Sequence, residues 1–491
     1  MSFWDFLKNL FGGKKKSTTP SSGTTTNPPV SATTVVVNPL TLTTIPQPSF
    51  TPAGTGQGLD LTDISAFTLW NGYVNIWDQH RSQAHINDPD ELQRGFTHYG
   101  WSKLQGGTLS DTLHRTQIVH FINVPAEIRN NPQPLPYGES RYYSNGDPFY
   151  TQFEPLSRFE DIIVRTPFSR LNISGVIFDH EVWAWKPDKT KLFKGNAQFP
   201  ASPGLQIPDS QFESAYHREM ANRHVLVMKL QKQDAVSAGV SDPILLTWGP
   251  YTAIESFFES DNYTFPNMYV NPPWKTADQN GEFWHDYSSH ILAGMYFRIE
   301  DAGDGFCAKM YKNLHNLEVN LNFLPNKKIM NMVYLHQEGV AGHPFVPEYV
   351  SEYLPVFAVV LGCQGSYAWS EAGHIETDDN RSWNPYKTYV ASWQRVAQLA
   401  DFFDGGQPTF LRQQTEVSYD GGATFSRQNM RQLYDQKRPI VRAMTQGSKV
   451  AIAAVNPFAT SDAQELKVIA KVNGQYYTVS MTGKRTTLLR S

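Results

Sequence analysis

Eight short strand-like runs recur along the chain, separated by segments long enough for a helix to cross back over a sheet. They read AFTLWNG (66–72), GFTHYGW (95–101), TQIVHFINV (116–124), SGVIFDHE (174–181), PILLTWGPY (243–251), NMYV (267–270), KIMNMVYLHQE (328–338) and GSYAWSE (365–371). Several intervening segments carry helical periodicity, among them QFESAYHREMANRHVLVMKLQKQ (211–233) and EYVSEYLPVFAVVLG (348–362). Strands joined by such crossovers pair in parallel and are buried on both faces, which explains runs that are apolar throughout. Eight of them predict an α/β fold with a closed (β/α)8 barrel over residues 59–405, its last helix at roughly 386–403.

Beyond residue 405 the pattern changes to period two, in KVAIAAVNP, LKVIAKVNGQYYTVSMTG and RTTLLR, with turn signals at Asn473-Gly474 and Thr482-Gly483. Asn-Gly between alternating strands marks a tight hairpin. Residues 406–491 are therefore expected to form a small all-β sandwich. At the other end, residues 14–58 are rich in Thr, Ser, Pro and Gly and too poor in apolar side chains to fold alone; they read as a disordered linker. Residues 1–13 precede it as a short amphipathic peptide, with Phe3, Trp4, Phe6, Leu7, Leu10 and Phe11 largely on one side of a helix. Residues 1–12 suit docking on a protein partner or a membrane surface; a frayed tail is the plainer alternative.

Composition narrows the function. A formal charge of −4 lacks the basic balance that nucleic-acid binding demands. Two cysteines, Cys307 and Cys363, cannot build a disulfide framework and read as buried free thiols. The basic residues of the N-terminus follow its apolar part, unlike a signal peptide, and no apolar run reaches membrane-spanning length. The 12 Trp, 23 Tyr and 29 Phe exceed what a core requires and suit a cleft that stacks on flat rings, although a large core also holds many aromatics.

In (β/α) barrels the working residues sit at the C-terminal ends of the strands. On that rule the fourth strand delivers Asp179, His180 and Glu181, the seventh His336 and Glu338, and the eighth Trp369 and Glu371. The second delivers His98, Tyr99 and Trp101, and the fifth Trp248 and Tyr251. Two carboxylates at i and i+2 of a strand share a face, so Asp179 and Glu181 are neighbours of like charge. Acids with aromatics on one rim are what cleavage of a glycosidic bond needs: one carboxylic acid protonates the leaving oxygen, and another acts as nucleophile or base. Plainer readings remain open. Asp179 can accept hydrogen bonds at a strand end, His180 can point into packing, Glu338 can begin a solvated loop, and Glu371 can belong to the rim.

These residues carry a resemblance. From about residue 60 to 491 the chain resembles a TIM-barrel glycoside hydrolase with a C-terminal β-sandwich. SGVIFDHE is similar to the fourth-strand motif of chitinase-type hydrolases, with Ser174 and Ile177 standing where that motif has aspartates. The retaining clan of (β/α)8 hydrolases places its acid/base at the end of the fourth strand and its nucleophile at the end of the seventh. Glu181 and Glu338 match those positions, with His180 where the clan has Asn. AVVLGCQGSYAWSEAG (358–373) and the C-terminal KVAIAAVNPF also resemble these enzymes.

The resemblance implies Glu181 as proton donor, Glu338 as nucleophile or base and Asp179 tuning Glu181. It also implies His98, Tyr99, Trp101, Trp248, Tyr251, His336, Trp369 and Glu371 around an oligo- or polysaccharide. The alternative is a barrel whose catalytic set has decayed, serving as a carbohydrate-binding or structural component of a larger assembly. No cofactor is expected: the histidines lack His-Glu-x-x-His spacing, and no phosphate-cradling glycine loop is present. Reaching an external polysaccharide without a signal peptide implies a non-classical route or carriage by a larger particle.

Overall fold

The structure is a computed structural model, described here for residues 37–54, 59–77, 91–101, 117–120, 168–169, 173–178, 208–248, 276–298, 305–338, 344–369 and 382–491. Val37–Ser491 forms one compact unit. It is a mixed α/β fold with a parallel sheet and two further sheets.

The chain opens with two short strands, β1 (Leu40–Thr41) and β2 (Thr43–Thr44). The parallel sheet follows: β3 (Val74–Trp77), β4 (His98–Trp101), β5 (Gln117–His120), β6 (Gly175–Phe178), β7 (Ile244–Trp248), β8 (His290–Arg298), β9 (Lys328–Glu338) and β10 (Gly365–Trp369). Each pairs in parallel with the next, and β10 pairs with both β9 and β3, so the sheet closes on itself. Side chains divide by alternation. Ile76, Ile177, Leu246, Leu292, Met330, Met332 and Tyr367 fill the interior, while Trp77, Ile291, Ala293, Val333 and Ala368 join the larger core outside.

Helix α1 (Asp209–Ser237) lies between β6 and β7, α2 (Gly305–Phe323) between β8 and β9, and α3 (Glu348–Leu361) between β9 and β10; α4 (Asn384–Ala397) follows β10. α3 is buried on every side because the barrel wall covers one face and the C-terminal strands the other. It stops at Gly362, whose φ of 100° supplies the left-handed cap that a side chain resists.

The rest of the chain adds β11 (Thr409–Phe410), β12 (Glu416–Ser418), β13 (Ser426–Arg427), the short helix α5 (Met430–Asp435), β14 (Ile440–Gln446), β15 (Lys449–Val455), β16 (Glu465–Val472), β17 (Gln475–Thr482) and β18 (Thr487–Arg490). One sheet runs β1-β17-β16-β12-β13 and the other β11-β14-β15-β18-β2. Val417, Val468, Ala470 and Val479 of the first meet Val441, Ala443, Ile452 and Ala454 of the second in one apolar cluster. The β16–β17 hairpin turns at Asn473 and Gly474, with φ of 51° and 76°, the left-handed pair that a two-residue hairpin requires.

Three sequence expectations change. The first barrel strand is β3 rather than 66–72; the apolar residues Phe67, Leu69 and Trp70 serve packing instead, Trp70 stacking on Phe403 at 3.8 Å. The sixth strand is β8. The run expected at 267–270 lies outside the described residues, and HILAGMYFR is a continuous apolar stretch that periodicity alone does not separate from a helix. The linker expected over 14–58 does not extend through 37–54, where β1 pairs with β17 and β2 with β18. Its threonines are good strand residues, but two-residue strands exist only on an edge supplied by distant sequence, which no local window reveals.

The C-terminal strands share their core with the barrel helices: Ile440, Met444, Ala451 and Val455 belong to the same cluster as Val356, Val360 and Leu314. Two buried ion pairs lie in the same layer. Arg442 Nε meets Glu318 of α2 at 2.6 Å, and Arg395 of α4 meets Glu352 of α3 at 3.2 Å.

Candidate active site

The barrel strands end, among the described residues, in Trp77, Trp101, His120, Phe178, Trp248, Arg298, Glu338 and Trp369. Four of these are tryptophans; Trp101, Trp248 and Trp369 are among the residues that the sequence marked, whereas Trp77 belongs to the core outside the barrel. β6 is fourth in the ring and β9 seventh. Phe178, the last described residue of β6, immediately precedes Asp179, and β9 ends on Glu338, which lies in register with Arg298 of β8.

Among the described residues β9 is the longest barrel strand, and a returning segment holds its end. Gln337 N donates to Pro344 O at 2.9 Å, its side-chain amide donates to Phe345 O at 3.2 Å, and Val346 N donates to Leu335 O at 3.0 Å. The register with β8 shifts in this stretch, the irregularity common where a strand end is re-aimed beside a site. The backbone that presents Glu338 is thus fixed on both sides.

An aromatic stack occupies the same corner. Trp369, half-buried, meets Tyr334 at 4.8 Å, and Tyr334 stacks on His336 at 5.1 Å. His336 then meets Phe345 at 4.6 Å and Tyr386 of α4 at 5.7 Å, with Trp383 beyond. His336 is fully buried among these rings. Tyr334, Phe345, Trp383 and Tyr386 were not singled out in the sequence; their signal was proximity to His336 and Trp369, diluted by the many other aromatics of the chain.

Two expected site residues of β4 lie elsewhere than on the rim. His98 opens β4 rather than closing it, opposite Ile76 of the interior cluster. Thr97 Oγ1 lies 2.8 Å from its Nδ1, and burial pulls the imidazole down to about 4, so it is neutral near pH 7. Tyr99, one residue on, packs against the outer core and donates its hydroxyl to Glu91 at 3.2 Å. A second interior histidine went unremarked in the sequence. His290 opens β8, is buried, has Ser289 Oγ 2.8 Å from its Nδ1, and is held down to about 3, chiefly by burial. Ser289 and Thr97 hold their histidines in the same way, each from the preceding residue.

Asp179, His180, Glu181, Tyr251 and Glu371 lie outside the described residues. Trp101, Trp248 and Glu338 are placed as the last residues of β4, β7 and β9. No group of three or more His, Cys, Asp or Glu side chains suited to a metal ion occurs among the described residues. No described helix is long and apolar enough to cross a membrane. Cys363 is buried and Cys307 half-buried, and neither is in a disulfide.

No protein-family model matches the chain, and no curated protein matches it at a significant level. Solved structures give distant likenesses. Bee venom hyaluronidase bound to a hyaluronic acid tetramer is 12% identical with a TM-score of 0.40, covering 66% of this chain and 98% of its own. A Nostoc punctiforme debranching enzyme is 9% identical with a TM-score of 0.34, covering 86% and 97%. A GH30 endoxylanase from Clostridium papyrosolvens is 12% identical with a TM-score of 0.25, covering 67% and 92%. At TM-scores below 0.5 these likenesses carry no argument, and the fold stands on its strand pairing.

Proposed function

We propose that the protein is a glycoside hydrolase of the (β/α)8 type with a C-terminal β-sandwich, acting on an oligo- or polysaccharide at the barrel mouth. One observation carries the reading: the fourth strand of a closed parallel barrel leads directly into Asp179-His180-Glu181, while the seventh ends on Glu338. In a (β/α)8 barrel the C-terminal strand ends surround a common space above the ring, where two carboxylates can flank a glycosidic bond. Glu181 is the proton donor and Glu338 the nucleophile or base. Asp179 is the neighbouring acid assigned to tune Glu181. Trp248 and Trp369 are the proposed walls of the cleft, with Tyr251 and Glu371 the proposed rim residues.

The chitinase-type alternative is the weaker one. Its motif needs an aspartate where Ile177 stands, and Ile177 is packed in the barrel interior with no exposed surface. That same apolar position favours, as a second reading, a barrel that binds sugar without cleaving it. One experiment separates the two. Wild type and Glu181→Gln are screened on a glycan panel for binding and for release of reducing ends. An enzyme cleaves at least one glycan, and the variant loses about 10²–10⁴-fold in rate while still binding. Equal binding with no cleavage by either protein establishes the binding module, and neither binding nor cleavage rejects both.

A further inference from the structure

Residues 40–53 lie in the fold as a bound peptide lies on its receptor. β1 adds to β17 in parallel, with Leu40 opposite Tyr477 and Thr41 opposite Thr478. One residue later the chain changes sheets: β2 adds to β18 antiparallel, with Thr43 opposite Arg490 and Thr44 opposite Leu489. β17 and β18 follow one another in the chain but belong to different sheets, and Thr487 Oγ1 bonds Ser480 O across the place where the two part. Leu42, the residue at the change, enters the core shared by both sheets, and Ile45 enters the core between sheet and helices.

Further along, the partners lie on or just before α4. Arg395 Nε donates to Ile45 O at 2.7 Å, and Gln47 Nε2 donates to Thr388 O and Ser392 Oγ at 3.2 and 3.0 Å. Lys387 Nζ donates to Thr51 O at 2.8 Å, Asn384 Oδ1 accepts from Ala53 N at 2.7 Å, and Ser382 Oγ donates to Ala53 O at 3.1 Å. Main-chain groups supply most of these bonds, and spaced apolar side chains fill pockets. That is how an extended peptide is recognised when it adds to a sheet edge.

We propose that the seam between β17 and β18, continued along α4, is a strand-binding groove, and that residues 40–53 are its ligand held in cis. The ligand class is an extended peptide with apolar side chains at the Leu42 and Ile45 spacing and no charge at either. Held in cis, it covers two sheet edges that would otherwise be open to pairing with another chain.

The test uses the full chain with a protease recognition sequence placed in residues 55–58. After cleavage under native conditions, the N-terminal fragment is expected to co-elute with the body. A fluorescent synthetic peptide of residues 37–54, in excess, is expected to exchange into the cleaved complex, and the same peptide carrying Leu42→Asp and Ile45→Asp to compete at least tenfold less well. Exchange is read on the intact complex, so the outcome does not depend on the stripped body remaining soluble. Dimers that form on release and are blocked by excess peptide also support the groove, with a second copy in it. A fragment that leaves on dilution, equal competition by the two peptides, or dimers that peptide does not block would each overturn the proposal.

Discussion

Replacing Arg395 with Met tests whether buried charge holds the two halves of the fold together. Arg395 is almost fully buried and serves three acceptors: Glu352 Oε1 at 3.2 Å, Ile45 O at 2.7 Å and Thr486 O at 2.8 Å. These belong to α3, to the N-terminal segment and to the turn before β18. Methionine fills the stem's volume but satisfies none of them. Glu352 would keep a backbone hydrogen bond from Thr486 and, as its remaining cation, Arg485 at 2.9 Å, whose side chain is half-exposed. Removing one partner of a buried pair costs about 3–5 kcal/mol, because the other is left uncompensated. With an m-value of about 3 kcal/mol per M, the urea midpoint followed by circular dichroism falls by roughly 1–1.7 M.

The loss should also depend on pH. Burial already raises the Glu352 carboxyl, with Arg485 and Arg395 opposing it. Without Arg395 its folded pKa rises further. A raised acid keeps its proton in the folded state after the unfolded chain has released it, so stability drops as pH climbs from about 4.5 through the folded value. The variant's deficit is therefore larger at pH 7 than at pH 4.5. Adding Glu352→Leu removes the stranded charge and should recover more than half of the loss. A deficit below about 1 kcal/mol, or a double variant worse than the single, would refute the reasoning.

Other positions give independent outcomes. Gly362→Ala forces a side chain into φ 100° and brings its Cβ to 2.7 Å from the Phe410 ring; a loss of about 1–3 kcal/mol in chemical unfolding is expected. Asp420 accepts from Ser418 Oγ, Thr424 N and Thr424 Oγ1, which hold its carboxyl well below the usual range, so Asp420→Ala should lower the melting temperature at pH 7. That deficit shrinks as pH falls below the ordinary carboxylate range, since a depressed acid loses its contribution on protonation. His98 and His290, held to about 4 and about 3, stay neutral in the fold while the unfolded chain protonates near 6.5. Stability should fall between pH 6.5 and 4, and His98→Leu should flatten that fall in a pH series of thermal melts.

Where a run is buried on both faces and bounded by turn residues, as in β6, β7 and β10, its position was readable from sequence. The hairpin at Asn473-Gly474 was readable because the backbone there demands residues that accept positive φ. β3 was displaced because Trp70 and its neighbours are apolar for loop packing. β8 was missed because an apolar run with Ala and Gly at its centre fits helix and strand alike. The site divides in the same way. The order of strands assigned Glu338 to the end of the seventh strand, but the phase of alternation within β4 is set by its pairing with β3. It therefore took the register of Ile76 with His98 to send Tyr99 to the outer core. The N-terminal segment was illegible in principle, since its partners lie more than 300 residues away.

That separation shapes how the chain is made. Ile45 is among the first residues of the compact unit to leave the ribosome, yet the guanidinium that binds its carbonyl lies 350 residues later. At about 5–20 residues per second, the segment waits roughly 18–70 s for Arg395 and longer for β17 and β18. Throughout that interval Leu42 and Ile45 have no groove to enter, and the barrel strands emerge before either C-terminal sheet exists. The first-made part of the unit thus docks only after β17 and β18 have been made.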